Sequence, residues 1–139
     1  QLDAALLDFS KAFDKVNHRK LCLKLEHYGI RGELLNWIRD YLSNRTQKVV
    51  VEGKISDSIA VTSGVPQGTV LGPLFFLIYV NDLPDSVKCQ IGLFADDSIV
   101  YNTITSTADC KILQSDLDAL SWCDHKLQTI MASTHKNDQ

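Results

Sequence analysis

A chain of 139 residues has room for a single core, so length excludes a multi-domain reading. Hydrophobic residues make up 45% and charged residues 22%, which excludes a predominantly disordered chain. The net charge of −3 leaves no sequence-wide basic field for a polyanion, so any nucleic-acid binding must use a local site. The longest apolar run, Val70 to Val80, is shorter than the roughly 20 residues of a membrane span. It reads as a buried helix, and no membrane partner is expected. Gln1 opens the sequence without an initiator Met, a basic n-region or a cleavage pattern, which reads as a fragment without a signal peptide. The four cysteines form no CxxC or CxxH pair. Buried free thiols in a reducing, intracellular compartment are expected.

In chain order, Ala4 to Phe9 is a short apolar run interrupted by an acid, the pattern of a buried strand. Leu21, Leu25 and Tyr28 fall at helical spacing, and Gly29 followed by Ile30 predicts the helix stop. A second helix follows with Leu34, Leu35, Ile38, Tyr41 and Leu42 as its apolar stripe, ending at Ser43 and Asn44. Gln47 to Glu52 and Ile59 to Val61 predict a hairpin turning near Gly53-Lys54. A helix is expected from Thr69 to Asn81 or Asp82, where Pro84 forbids continuation. Cys89 to Ala95 and Ser98 to Asn102 then form a second hairpin joined at Asp96-Asp97. A last amphipathic helix starts near Thr107, with Cys110, Leu113, Leu117 and Leu120 inward and Asp116 and Asp118 outward. The order β-α-α-β-β-α-β-β-α is an α+β pattern, helices packed on an antiparallel sheet.

Three acids interrupt apolar strands rather than decorating helix faces: Asp8 after AALL, and Asp96 and Asp97 after IGLFA. A buried carboxylate needs a turn, a donor or a cation. Adjacent acids at a hairpin tip are also ordinary turn residues hydrated by solvent. Convergence with an acid on a second strand would instead make the hard oxygen site that Mg²⁺ or Mn²⁺ prefers. The sequence separation of Asp8 and Asp96, 88 positions, does not say which holds.

LLDFSKAFDKV (Leu6 to Val16), SGVPQGTVLGP (Ser63 to Pro73) and FADD (Phe94 to Asp97) resemble the first three palm motifs of reverse transcriptases, in the same order. The wording, with YGIRGELLNWIRDYLSNRTQ and LGPLFFLIYVNDLP between and after the motifs, is closest to non-LTR, LINE-type retrotransposons. The resemblance runs over about residues 2 to 122. It implies a polymerase palm-like, ferredoxin-like sheet over residues 1–124, a partial reverse transcriptase domain without fingers or thumb, and a poorly matching tail at 125–139.

The roles implied by the family carry over residue by residue. Asp8 and Asp96 match the catalytic aspartates that bridge two Mg²⁺ or Mn²⁺ ions, Asp97 the lesser ligand beside them, and the Phe9 carbonyl the oxygen that completes one coordination sphere. Phe13 falls where a bulky residue under the incoming sugar excludes a 2′-hydroxyl. Its plain alternative is a core Phe. Gln67 matches the residue that touches nucleotide and template, and Gly68 lets the backbone approach the base pair; alternatively PQG is a turn feeding a helix. The partners implied are an RNA template, a DNA primer and dNTP, with fingers, thumb and any endonuclease supplied by the parent polyprotein in nucleus and cytoplasm.

The remaining candidates read as structural. His18, His27, His125 and His135 lie in no metal-ligand pattern, and Trp37 and Trp122 are expected to pack. After FADD the family's DL..L...W appears as DLDALSW, one residue short, and Lys136 is a loose match to a Lys near the pyrophosphate. Three readings follow: the palm of an RNA-directed DNA polymerase, a decayed retrotransposon remnant without catalysis of its own, and a viral RNA-dependent RNA polymerase palm, which would usually show GDD.

Overall fold

A computed structural model of the protein describes residues 1–123, with side chains as far as residue 120. In chain order the elements are β1 (Leu2–Asp8), α1 (His18–His27), α2 (Gly32–Leu42), β2 (Thr46–Gln47), β3 (Val50–Val51), β4 (Lys54–Ile55), β5 (Ile59–Ala60), α3 (Leu71–Val80), β6 (Gln90–Phe94), β7 (Asp97–Thr103) and α4 (Thr107–Cys123). Short 3₁₀ turns occupy Phe13–Lys15 and Leu83–Ser86. No helix among the described residues is long and apolar enough to cross a membrane. Among the described residues, 1–12 and 80–123 form one compact unit, and Phe13–Tyr79 another.

The first unit is built on a three-stranded antiparallel sheet in the order β1-β7-β6. Alternation along β1 buries Ala5 and Leu7 and leaves Leu6 and Asp8 exposed. Register puts Leu7 opposite Ser98 and Ala5 opposite Val100. Leu7, Val100, Cys89 and Leu120 make the core, with Leu83, Val87, Ile91, Leu113 and Leu117 packed around it. Fully burying one such side chain contributes about 1.5–3 kcal/mol.

At the start of α4 the Asp109 carboxylate accepts the N–H and hydroxyl groups of both Thr105 and Ser106 at 2.8–3.0 Å. It satisfies donors the helix cannot, and these bonds hold the Asp109 pKa down to about 2. The inward stripe of α4 differs from the expected one. Cys110 is exposed, and Asp116, expected outward, is buried. Positions 113, 116, 117 and 120 are the true i, i+3, i+4, i+7 set. One Asp116 oxygen accepts the backbone N–H of Lys88 at 2.7 Å and of Cys89 at 2.6 Å, which ties α4 to the entry of β6.

In the second unit Asn17 caps α1 by accepting the Lys20 N–H at 3.0 Å, and the helix buries Leu21, Cys22 and Leu25. It stops as expected, with Gly29 at φ 90° and the Ile30 N–H reaching back to the Leu25 carbonyl at 2.9 Å. Helix α2 buries Leu35, Ile38 and Leu42, while Leu34 is 56% exposed at the edge of the stripe. Trp37 is half in solvent and stacks on Tyr41, ring centroids 5.5 Å apart. The expected hairpin is two short ladders, β2 with β5 and β3 with β4. Three residues, 56–58, face two, 48 and 49, so a bulge interrupts the pairing. The turn is Glu52-Gly53, one residue earlier than expected, both at positive φ. Cys22 and Cys89 are buried free thiols and Cys110 an exposed one. The tail 125–139, with His125, His135 and Lys136, and the Trp122 side chain lie outside the described residues.

Candidate active site

Antiparallel register brings the acids of two distant motifs to one end of the sheet. Asp8, the last residue of β1, is the direct partner of Asp97, the first residue of β7, and Asp97 is in turn opposite Phe94 on β6. Directly opposed residues share a face, with Cβ atoms about 4.5–5.5 Å apart. Asp96 occupies the intervening tight turn, and the Phe9 N–H donates to its carbonyl at 3.3 Å. That bond fixes the tight turn to the residue after Asp8. The Phe9 carbonyl accepts the Ala12 N–H at 3.0 Å, which leaves its second lone pair uncommitted.

The turn itself is strained in an informative way. Ala95 sits at φ 53°, and Asp96 is not among the positive-φ residues, the pattern of a type II′ turn with its positive φ at the first central position. Glycine is the usual residue there, and a non-glycine in that region costs on the order of 1 kcal/mol. Beneath the turn Leu7, Phe9, Ser98 and Val100 are buried, whereas Asp8 and Asp97 are exposed and Asp96 half-buried. Like charges directly opposite one another are destabilising, so a cation at this end of the sheet would offset a repulsion built into the register. Among the described residues no three His, Cys, Asp or Glu side chains are gathered into a metal-ligand group. Register draws Asp8 and Asp97 together and the turn sets Asp96 beside them, with the first two side chains exposed and the third half-buried.

Phe13, Gln67 and Gly68 belong to the second unit, where the first two motifs are joined backbone to backbone. The Val65 N–H donates to the Phe13 carbonyl at 2.8 Å, the Ser63 hydroxyl to the Asp14 carbonyl at 2.9 Å, and the Gly64 N–H to the Val16 carbonyl at 2.8 Å. Gly64 is required here: at φ +87° it passes so close that a Cβ would lie 2.8 Å from the Asp14 Cα. His18 is satisfied as expected, its Nε2 2.7 Å from the Gly64 carbonyl oxygen. The Phe13 ring stacks on Phe76 at 4.6 Å and 22°. Gln67 and Gly68 are exposed, in the loop leading to α3. The Thr69 hydroxyl donates to the Pro66 carbonyl at 2.8 Å and accepts the Gly72 N–H at 3.1 Å, capping that helix. A Cβ on Gly72 would lie 2.2 Å from the Pro66 carbonyl oxygen, so the PQG loop is pressed against the first turn of α3.

Two features escaped the sequence reading. The buried acceptor role of Asp116 has a usable signal, an acid at i+3 between Leu113 and Leu120 on an otherwise apolar stripe. The close approaches at Gly64 and Gly72 have none beyond the glycines themselves.

The chain matches the family model described as reverse transcriptase (RNA-dependent DNA polymerase) over residues 4–133. It is 31% identical over 137 residues to the probable RNA-directed DNA polymerase from transposon BS of Drosophila melanogaster, covering 87% of this chain and 14% of that protein. The RNA-directed DNA polymerase from mobile element jockey of the same species is 33% identical over 131 residues, with the same two coverages. A retrovirus-related Pol polyprotein from type-1 retrotransposable element R2 of Popillia japonica is 31% identical over 115 residues, covering 82% of this chain and 16% of that protein. The chain thus spans 14–16% of the length of these curated relatives. In fold it is similar to apo telomerase from Candida tropicalis truncated from its C-terminal domain, with a TM-score of 0.64 at 16% identity over 99% of this chain and 32% of that one. With the family model matched over most of its length and non-LTR retrotransposon polymerases as its relatives, the chain belongs to the reverse transcriptase family and has its palm-like α+β fold.

Proposed function

We propose that this chain supplies the palm of an RNA-directed DNA polymerase and, within a longer polypeptide, adds deoxynucleotides to a DNA primer on an RNA template. The observation that carries this reading is the sheet end where Asp8 and Asp97 are cross-strand partners and the Phe9 N–H holds Asp96. Reverse transcriptases work with divalent metal ions. The donors available here, three carboxylates and a carbonyl, are the hard oxygen ligands that suit Mg²⁺ or Mn²⁺. On this reading Asp8 and Asp96 would be the main ligands of the ions, with Asp97 a lesser one and the Phe9 carbonyl a further oxygen donor. Bound there, the ions supply charge stabilisation at the attacking and leaving oxygens.

The chain's own residues bind and orient. Phe13, fixed by Val65 and Phe76, excludes a 2′-hydroxyl; Gln67 touches nucleotide and template; Gly68 admits the base pair. The bond that forms joins the primer O3′ to the α-phosphorus, the bond to the departing pyrophosphate oxygen breaks, and the hydroxyl proton passes to solvent. Fingers, thumb and any endonuclease come from the remaining length of the parent polyprotein, acting in nucleus and cytoplasm. Replacing the matching segment of the jockey polymerase by this chain tests the assignment. Primer extension is expected from the graft, with a loss of roughly a thousandfold or more in Asp8→Asn and Asp96→Asn, where the amide keeps the size and loses the charge. Phe13→Ala is expected to keep extension and admit ribonucleotides. Full-rate extension by the Asp96→Asn graft would overturn the reading.

A further inference from the structure

Positive charge is unevenly spread along the chain. Residues 13–79 carry nine Lys and Arg against six Asp and Glu, although the whole chain is at −3. Within that unit a cavity of about 390 Å³ opens between the N-terminal half of α1 and the last turn of α2. Its lining includes Arg19 and Leu23, Arg39 and Leu42, with His18 and Cys22. Both arginines are exposed, Leu42 is fully buried and Cys22 nearly so. The Arg39 guanidinium has a long 3.5 Å contact to Asn36 Oδ1, and among the described residues neither arginine is paired with a carboxylate. His18 Nε2 faces the Gly64 carbonyl at 2.7 Å and therefore carries its hydrogen.

No acid lines this cavity. Two unpaired guanidiniums around one concavity repel each other until an anion lies between them, and the apolar wall of Cys22 and Leu42 strengthens the field inside. The planar donor fork of Arg matches phosphate oxygens two at a time. We infer that the cavity is a phosphate site, taking a phosphodiester of the single-stranded nucleic acid on which the polymerase works, with exposed Leu23 against the adjoining sugar. The inference rests on the polymerase reading and adds to it a strand contact in the unit that does not carry the carboxylates.

The test is fluorescence anisotropy of a labelled oligouridylate with the full chain across a salt series. Each phosphate contact to a single strand contributes about 0.7 to the slope of log affinity against log salt. The double variant Arg19→Gln, Arg39→Gln, which removes the contact to one phosphate, is expected to lower the slope by about 0.7 and to weaken binding about tenfold at low salt. Arg19→Lys with Arg39→Lys should keep the slope, since charge is retained, and lose part of the affinity with the fork. Lys48→Gln with Lys54→Gln, on the β2–β5 ribbon, removes the same charge elsewhere in the unit and should leave the slope near that of the parent chain. Melting temperatures should coincide, because both arginines are exposed; should the double variant fail to fold, Arg39→Gln alone should lower the slope by about half as much, roughly 0.35. An unchanged slope in the arginine variants, a loss equalled by the ribbon pair, or no binding by the parent chain would overturn the site. The polymerase reading fails on a different result, full extension by the Asp96→Asn graft.

Discussion

A carboxylate buried in mid-helix persists only where donors are aimed at it, and Asp116 has three: the N–H groups of Lys88 and Cys89 and the Cys89 thiol. Burial alone would push its pKa up, but the hydrogen bonds from Cys89 and Lys88 outweigh it and hold the carboxyl below its ordinary value. The same burial, then the Asp116 bond and charge, push the Cys89 thiol up to about 11. A depressed acid stabilises the fold above about pH 4 and loses that contribution as pH falls, and Asp109, at about 2, acts in the same direction. A raised thiol contributes below its ordinary value of 9.0 and loses that contribution as pH rises toward 11. Urea midpoints are therefore expected to fall on both sides of a plateau, with Cys89→Ala removing the Cys89 part of the alkaline fall and reducing the Asp116 part of the acid one, because the thiol is one of the carboxylate's donors. Asp116→Ala, which strands the buried Cys89 N–H and the part-buried Lys88 N–H, should cost about 2–3 kcal/mol, and Asp116→Asn about half, since one oxygen accepts both. Ser98 is the opposite case. Its hydroxyl is buried without a partner, so Ser98→Ala should stabilise by about 1 kcal/mol in the same denaturation series.

Elements position these residues by register and close approach. The zipper of Phe13–Val16 against Ser63–Val65 depends on Gly64, where a Cβ would meet backbone at 2.8 Å and φ is +87°. Gly64→Ala should lower stability by about 2 kcal/mol or more and loosen Phe13, visible as a lower melting temperature and faster amide exchange at Val65. Much of this level was legible in the sequence. The stop at Gly29, the FADD hairpin and the acids at strand ends all follow from local composition. What was hidden is non-local or depends on one residue of offset. The pairing of Asp8 with Asp97 joins positions nearly ninety residues apart, and only sheet topology specifies it. Hydropathy assigned Cys110 inward and Asp116 outward on α4, because it scores a charged residue as solvated and cannot see the backbone donors waiting for it. The ribbon between α2 and the PQG loop was read as one hairpin, because alternation does not reveal a bulge.

At the scale of the molecule, the first twelve residues fold with residues 80–123, and the sixty-odd residues between them form a unit of their own. Length suggested one core; the return of β7 to β1 across that interval makes two compact units instead. The motifs were readable because each is a contiguous string, and family membership follows from them over residues 4–133. With 14% of the length of its jockey relative, the chain alone is expected to show no primer extension, since positioning of primer, template and triphosphate accounts for much of the barrier reduction. The carboxylate site, by contrast, lies within one unit and can be tested on the chain by itself. Paramagnetic broadening of backbone amide resonances by Mn²⁺ reports where the ion sits. Broadening centred on Leu7–Phe9 and Ala95–Ser98, and lost in Asp8→Asn, is the expected result; broadening centred on Asp82 and Asp85, or unchanged by Asp8→Asn, would contradict a metal site at this end of the sheet.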